Sequence, residues 1–156
     1  MSAVSIIEYM DIHQPDFERL NKNWIEKYFW MEPIDFEVLS KPYDHIIRKG
    51  GFIFMAQYNN EIAGTAALKF VESGVHEFTK MAVDEKFQGM KIGKRLALAC
   101  IEKARELKSY KIILYSNTKL IPAINLYKNL GFKEIPVDGP YKRSDIKMEL
   151  LLSFTH

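Results

Sequence analysis

A single cysteine among 156 residues rules out a disulfide framework. Packing and hydrogen bonding must therefore hold the chain together, and a reducing, cytoplasmic setting is expected. Long hydrophobic runs are missing too. No apolar stretch approaches the ~18 residues of a membrane span, and MSAVSIIEYM lacks the basic region followed by an apolar one that marks a secretory leader. Nor is charge of one sign in excess. The net charge is +2, with basic residues scattered among acidic ones, which argues against a polyanionic partner. Aromatics are not interleaved with Lys91, Lys94, Arg95 and Lys103, so a nucleic-acid surface is not expected. His13, His45 and His156 form no metal-ligand spacing with Cys or carboxylates, and no metal is expected. Repeats, low-complexity segments and linkers are absent, which leaves one domain over 1–156.

What is present is a chain of clear periodicities. A short strand is predicted over Ser5–Tyr9. Phe17, Leu20, Trp24, Ile25 and Phe29 recur at helical spacing behind Pro15, and PIDFEVLS, opened by Pro33, reads as a second short helix. The segment from Lys41 to Gly51 is turn-rich. FIFMAQY, EIAGTAALKFV and VHEFTKMAV then read as an antiparallel meander, parted by Asn59-Asn60 and Glu72-Ser73-Gly74. A long helix from about Gly89 to Leu107 carries Ile92, Leu96, Cys100, Ala104 and Leu107 on one stripe, which makes Cys100 a core residue and not a nucleophile. The strand KIILYS follows, so this strand-helix-strand unit predicts a parallel pair. IPAINLYKNLGF has proline first and glycine last, as a helix should, and FKEIP and SDIKMELLL complete the sheet. The fold class is α/β or α+β, a mixed sheet with helices on both faces.

The most informative stretch is MAVDEKFQGMKIGKRL, Met81 to Leu96. Ligands of open sheets gather at the carboxyl ends of parallel strands, and a helix starts there. Its first turn offers unpaired N–H groups and a partial positive charge. Gly89 and Gly93 let a ligand approach the backbone, and Lys91, Lys94 and Arg95 add cations. This reads as a phosphate seat, against the plainer reading of a glycine loop with a solvated basic face. Neither the P-loop nor the dinucleotide spacing fits. The helix dipole gives roughly 0.3–1 kcal/mol and each charged hydrogen bond about 1.5–3, against about 8 for micromolar affinity. A second, non-phosphate part of the ligand is required.

Together, MAVDEKFQGMKIGKRL and AINLYKNLGF resemble the GNAT superfamily of acyl-CoA-dependent N-acetyltransferases, the match running from Glu77 to Phe132. The resemblance implies a mostly antiparallel sheet with a splayed parallel strand pair. It implies that Gln88, Gly89, Met90, Lys91, Ile92, Gly93 and Lys94 hold the coenzyme A pyrophosphate, and that the main chain of Met81 and Val83 pairs with the pantetheine arm. Tyr127 matches the family's general acid. Two positions depart from the pattern. Lys91 replaces the middle glycine, so its backbone must suit a non-glycine, and the Asn usual before the tyrosine helix falls on Leu120. Asn117 or Asn125 could serve the pantetheine instead.

Transfer of an acetyl group from acetyl-CoA to a primary amine of a small molecule or peptide needs a base, an oxyanion donor and an acid. Glu77 is the candidate base, with Thr79, Met81 and Val83 as its strand-period mates; the alternative is an exposed edge charge. A backbone N–H near Met81–Val83 would hold the oxyanion. Tyr127 is read as acid, against packing with Leu126 and Phe132. His76 should face the other side of the sheet. Tyr115 lines the acceptor pocket or packs in the core. Trp24, Tyr28, Phe29, Trp30 and Glu32 crowd the place where an acceptor would bind, and Tyr141 and Arg143 meet substrate or a second subunit of a homodimer. The alternative function is a non-catalytic acyl-CoA-binding module.

Overall fold

The computed structural model describes residues 4–139 and 141–152; His156 lies outside them. One mixed sheet runs in the order β1-β2-β3-β4-β5-β7-β6. Its strands are β1 (Val4–Glu8), β2 (Phe52–Tyr58), β3 (Glu61–Glu72), β4 (Val75–Val83), β5 (Lys111–Ser116), β6 (Lys133–Ile135) and β7 (Ile146–Leu151). The expected meander is present, its turns made by Asn59 at φ 55° and Gly74 at φ 79°. Only β4 and β5 run parallel. At the centre, β3 is buried continuously from Ala63 to Leu68, as a strand covered on both faces must be.

Helices α1 (Gln14–Tyr28) and α2 (Pro33–Ser40) cover one face, and α3 (Ile92–Glu106) and α4 (Ile121–Asn129) the other. Phe17 and Ile25 of α1 meet Leu39, Ile53 and Met55 in one core. Ile92, Leu96, Cys100 and Ala104 of α3 meet Leu68, Phe78 and Ile112 in the other. Burial raises the Cys100 thiol well above its ordinary value, as befits a packing residue. Leu107 departs from expectation: α3 stops at Glu106, and Leu107 lies 41% exposed. The turn-rich 41–51 segment contains a π-helical turn, Tyr43–Ile47, closed by the Arg48 N–H donating to the Tyr43 carbonyl at 2.8 Å. Among the described residues no helix is long and apolar enough to cross a membrane.

The site depends on an irregularity in β4. Thr65 pairs with Ala82 and Ala67 with Thr79, so Ala66 faces two residues, Lys80 and Met81. Lys80 takes the left-handed conformation, φ 59°. Such a bulge reverses the side-chain alternation. Glu77 and Thr79, opposite Lys69 and Ala67, face α1 and α2, whereas Met81 and Val83 pack with the α3 core. This corrects the strand-period grouping of Glu77 with Met81 and Val83. The strand also swings away from β5. Parallel pairing holds only from Val75 to Phe78 against Lys111 to Leu114, so the pair splays beyond.

Two contacts fix the elements around this opening. Gly64 lets α3 approach β3: a Cβ there would lie 3.0 Å from Ile92 Cγ2, 3.2 Å from Leu96 Cδ1 and 3.2 Å from the Ala82 carbonyl. Arg143 clamps the 141–145 segment to α2 with a two-pronged bond to Asp35, at 2.7 and 2.9 Å. Asp35 also accepts the Glu32 N–H at 2.8 Å, closing the start of α2. Burial raises the Asp35 carboxyl, but the bonds from Arg143 and Glu32 outweigh it, and the net shift is downward from 3.8.

Gly64→Ala is therefore expected to lose roughly 1–3 kcal/mol from overpacking, read as a fall in Tm of several degrees. Arg143→Ala leaves a buried carboxylate without its cation, held only by the Glu32 N–H, which costs about 2–3 kcal/mol once the partial exposure of Arg143 is allowed for. Because the folded carboxyl is depressed, the clamp contributes fully above pH 3.8. Its contribution is lost as pH falls through the lower folded value. Chemical denaturation at neutral pH and near pH 3 should show the gap between wild type and Arg143→Ala closing in acid.

Candidate functional site

Where β4 and β5 part, a cavity passes through the sheet. Thr79, Lys80 and Met81 border it from β4, Tyr115 and Ser116 from β5, Ala123 and Tyr127 from α4, Trp24 and Phe29 from α1, with Tyr141 and Arg143 at its mouth. The edge of β4 that turns from β3 has no strand beside it from Thr79 onward. Its main-chain groups face the opening and lack ladder partners there.

Below this edge, a 3₁₀ turn (Glu85–Phe87) leads into the loop that starts α3. The helix begins at Ile92 and not at Gly89, because Gly89 at φ 85° and Lys91 at φ 59° lie in the left-handed region. No side chain caps α3, and no acidic residue occupies its first turn. The Arg95 N–H donates to the Lys91 carbonyl at 3.1 Å, so the amides of Ile92, Gly93 and Lys94 before it point out unpaired. Gln88, Gly89, Met90, Lys91 and Lys94 are exposed. A Cβ on Gly89 would meet nothing within 4 Å, and one on Gly93 would meet only ordinary contacts with Met81 and Leu126. The protein thus leaves space at both glycines. Lys91 does not avoid glycine's conformation, as its side chain suggested; it adopts it, at a cost of roughly 1–2 kcal/mol. Arg95, counted among the phosphate-facing cations, instead donates to the Val4 carbonyl of β1.

Glu77 and Tyr127 stand on opposite sides of the gap. Glu77 is 4% exposed, so it is no surface charge. Its carboxylate accepts from the Tyr141 hydroxyl at 3.1 and 3.2 Å. Burial lifts its pKa above 4.5, opposed by Lys69, the Tyr141 bond, Lys80 and Lys147. Tyr141 is stacked edge-on against Tyr115, centroids 5.0 Å apart, which sets the angle of its hydroxyl. Tyr127 packs edge-on against Phe78 at 5.9 Å and Phe132 at 6.0 Å. Burial raises its phenol well above 10. No described residue hydrogen-bonds its hydroxyl, yet among the described residues no fully buried polar side-chain atom lacks a partner, so that oxygen opens into the cavity it borders.

The remaining candidates divide. Asn117 borders the cavity, but its amide is used within the protein: it donates to the Arg143 carbonyl at 2.9 Å and accepts the Lys119 N–H at 3.0 Å. Asn125 is exposed on α4, away from the opening. His76 faces the opposite side, as expected, bonded to Ser109 at 3.1 Å. Trp24 packs on Tyr28 and Phe29 at the cavity wall, while Trp30 is 85% exposed. Sequence reading missed two residues, Lys80 and Asp35. A signal for Lys80 existed: apolar positions shift phase between Phe78 and the Met81–Val83 run, which is what an inserted residue does to a strand. Asp35 gave none, since its partner is 108 residues away. Among the described residues no group of three His, Cys, Asp or Glu could hold a metal.

Comparison with known proteins supplies the family. YjgM, an uncharacterized N-acetyltransferase of Escherichia coli K12, is 32% identical over 100 residues, 62% of this chain and 60% of that protein. YvbK, an uncharacterized N-acetyltransferase of Bacillus subtilis, is 30% identical over 91 residues, 58% of this chain and 59% of its own length. The chain thus matches about 60% of the length of these relatives. Among solved structures, a GNAT-family acetyltransferase of Staphylococcus aureus Mu50 superposes with a TM-score of 0.88 at 24% identity, covering 97% of this chain and 100% of that one. The PaiA N-acetyltransferase of Thermoplasma acidophilum, solved with coenzyme A, gives 0.77 at 18% identity over 96% and 99%. A profile of the Acetyltransferase (GNAT) family matches residues 7–132, and the chain belongs to that family.

Proposed function

We propose that this protein transfers an acetyl group from acetyl-CoA to a primary amine of a small molecule or peptide. The observation that carries the reading is the unpaired edge of β4 beyond Thr79, flanked by Glu77 and Tyr127 and lying above the uncapped start of α3. An extended amide-bearing arm fits such an edge as an added strand would. A diphosphate fits the amides of Ile92, Gly93 and Lys94, with Gln88, Gly89, Met90 and Lys91 shaping the approach. The coenzyme A bound to the Thermoplasma relative is consistent with this. Met81 and Val83 would supply main-chain partners to the arm. Asn125 and the occupied Asn117 are the weaker members of the set.

Acetyl-CoA supplies the activated acyl carbon. The amine nitrogen attacks that carbon, its proton passes to Glu77, and an N–H of the β4 edge holds the oxyanion. The carbon–sulfur bond then breaks, and Tyr127 gives its proton to the sulfur. Raised above 4.5, Glu77 is a better base than a solvated carboxylate. Raised above 10, Tyr127 stays protonated at neutral pH and can hydrogen-bond the departing sulfur, while burial weakens it as an acid.

Tyr127→Phe and Glu77→Gln should each lower kcat by roughly 10²-fold or more in a thiol-release assay, with coenzyme affinity intact by calorimetry. Coenzyme binding without turnover of any amine would favour the non-catalytic module. For the wild type, kcat/KM should rise with pH through an inflection above 4.5, the ordinary value of Glu77. Glu77→Gln should erase that limb. Lys91→Gly relieves a left-handed side chain and should leave coenzyme binding equal or tighter. A tenfold loss would assign the Lys91 ammonium to the phosphates.

A further inference from the structure

Beside the gap lies a second cavity of about 280 Å³, beneath α2 and the turn that follows it. Thr79, Lys80, Tyr141 and Arg143 border both. Charge in this second cavity is lopsided. Lys49, Lys69, Lys80, Lys142 and Arg143 line it against the carboxylates Glu32 and Asp35. Both carboxylates are already taken by Arg143, at 3.4 and 2.7 Å. Among the described residues, none of the four lysines has a carboxylate oxygen within 4.0 Å.

Lys80 is the telling member. The bulge fixes its backbone at φ 59°, at the junction of the two cavities. No described residue hydrogen-bonds its ammonium, and since among the described residues no fully buried side-chain nitrogen or oxygen goes unpaired, the nitrogen opens into the cavities it borders. A cation withdrawn from water with no carboxylate in contact is costly, and an anion delivered there gains more than it would in solvent. We propose that the acceptor is a small amine that also carries an anionic group, a carboxylate or a phosphate, which seats on Lys80 with Lys69 and Lys142 beside it. This rests on the acetyl-transfer reading above.

The geometry gives the acceptor its length. Lys69 stands directly across the ladder from Glu77, so the anion site and the base are neighbours. An amine separated from its anion by a few bonds would reach both. The burial that isolates Lys80 lowers its pKa, with Arg143 and Lys69 acting the same way and Asp35 and Glu77 opposing; a bound anion would reverse that shift. A polyamine, in contrast, would set a second ammonium among the lysines.

The test pairs acceptors that differ only in the anion: β-alanine with propylamine, and O-phosphoethanolamine with ethanolamine, with spermidine as the polycation. The full chain is assayed with acetyl-CoA for kcat/KM, and its coenzyme A complex is melted with each amine. The anionic member should be preferred by roughly 10- to 100-fold, the range for one hydrogen bond to a charged group, and should raise the melting temperature. Lys80→Gln should collapse the preference, Lys80→Arg should keep most of it, and the double variant of Lys69→Gln with Lys142→Gln should reduce it if Lys80→Gln does not fold. Preference for the neutral amine or spermidine, or an unchanged ratio in folded Lys80→Gln, overturns the proposal while leaving acetyl transfer standing. Should no amine be turned over, acetyl transfer fails instead. The melting arm then decides: Lys80-dependent stabilisation by the anionic amines sustains the anion site, and its absence overturns it.

Discussion

One extra residue in a strand governs this molecule. With Lys80 and Met81 both opposite Ala66, β4 cannot keep its ladder to β5 beyond Phe78. A regular strand would have zipped closed and buried its amides. Instead the sheet retains an internal edge, normally a liability that invites other strands, and walls it with α1, α4 and the 141–145 segment. The same insertion turns Glu77 toward α1 and α2 while Met81 faces α3. Access and asymmetry thus come from a single backbone event.

The electrostatics follow from that opening. Glu77, Tyr127 and Lys80 are all withdrawn from water, and burial is the first cause of the shift in each, against its charged form. None is neutralised by a close ion pair of its own. Asp35 shows the opposite arrangement: also buried, it is gripped by Arg143 and held below its ordinary value. Charges with structural duties are paired here, and those facing the gap are left to be completed by what enters.

The fold was largely legible because its signals are local and periodic. Asn59-Asn60 and Gly74 made the turns that were read from them, and Pro33 and Pro122 opened helices. The start of α3 was misjudged by three residues since left-handed Gly89 and Lys91 look, in one-letter code, like the first turn of a helix. Tyr127 and Glu77 were singled out from motif and chemistry, and the structure places both at the border of the opening. Lys80 and the Arg143–Asp35 clamp were not. A bulge leaves only a phase slip in the pattern, and the clamp joins residues that no local rule connects. For a related reason, nothing local shows that the Asn117 side-chain amide is engaged in holding Arg143 and Lys119.

Amide hydrogen exchange, resolved by residue with and without coenzyme A, tests the central claim most directly. If the open edge of β4 receives the pantetheine arm, amides within Met81–Val83 and at Ile92–Lys94 gain protection together, while β2 and β7 stay unchanged. Protection confined to the start of α3, or no change in β4 at saturating coenzyme, would contradict the account.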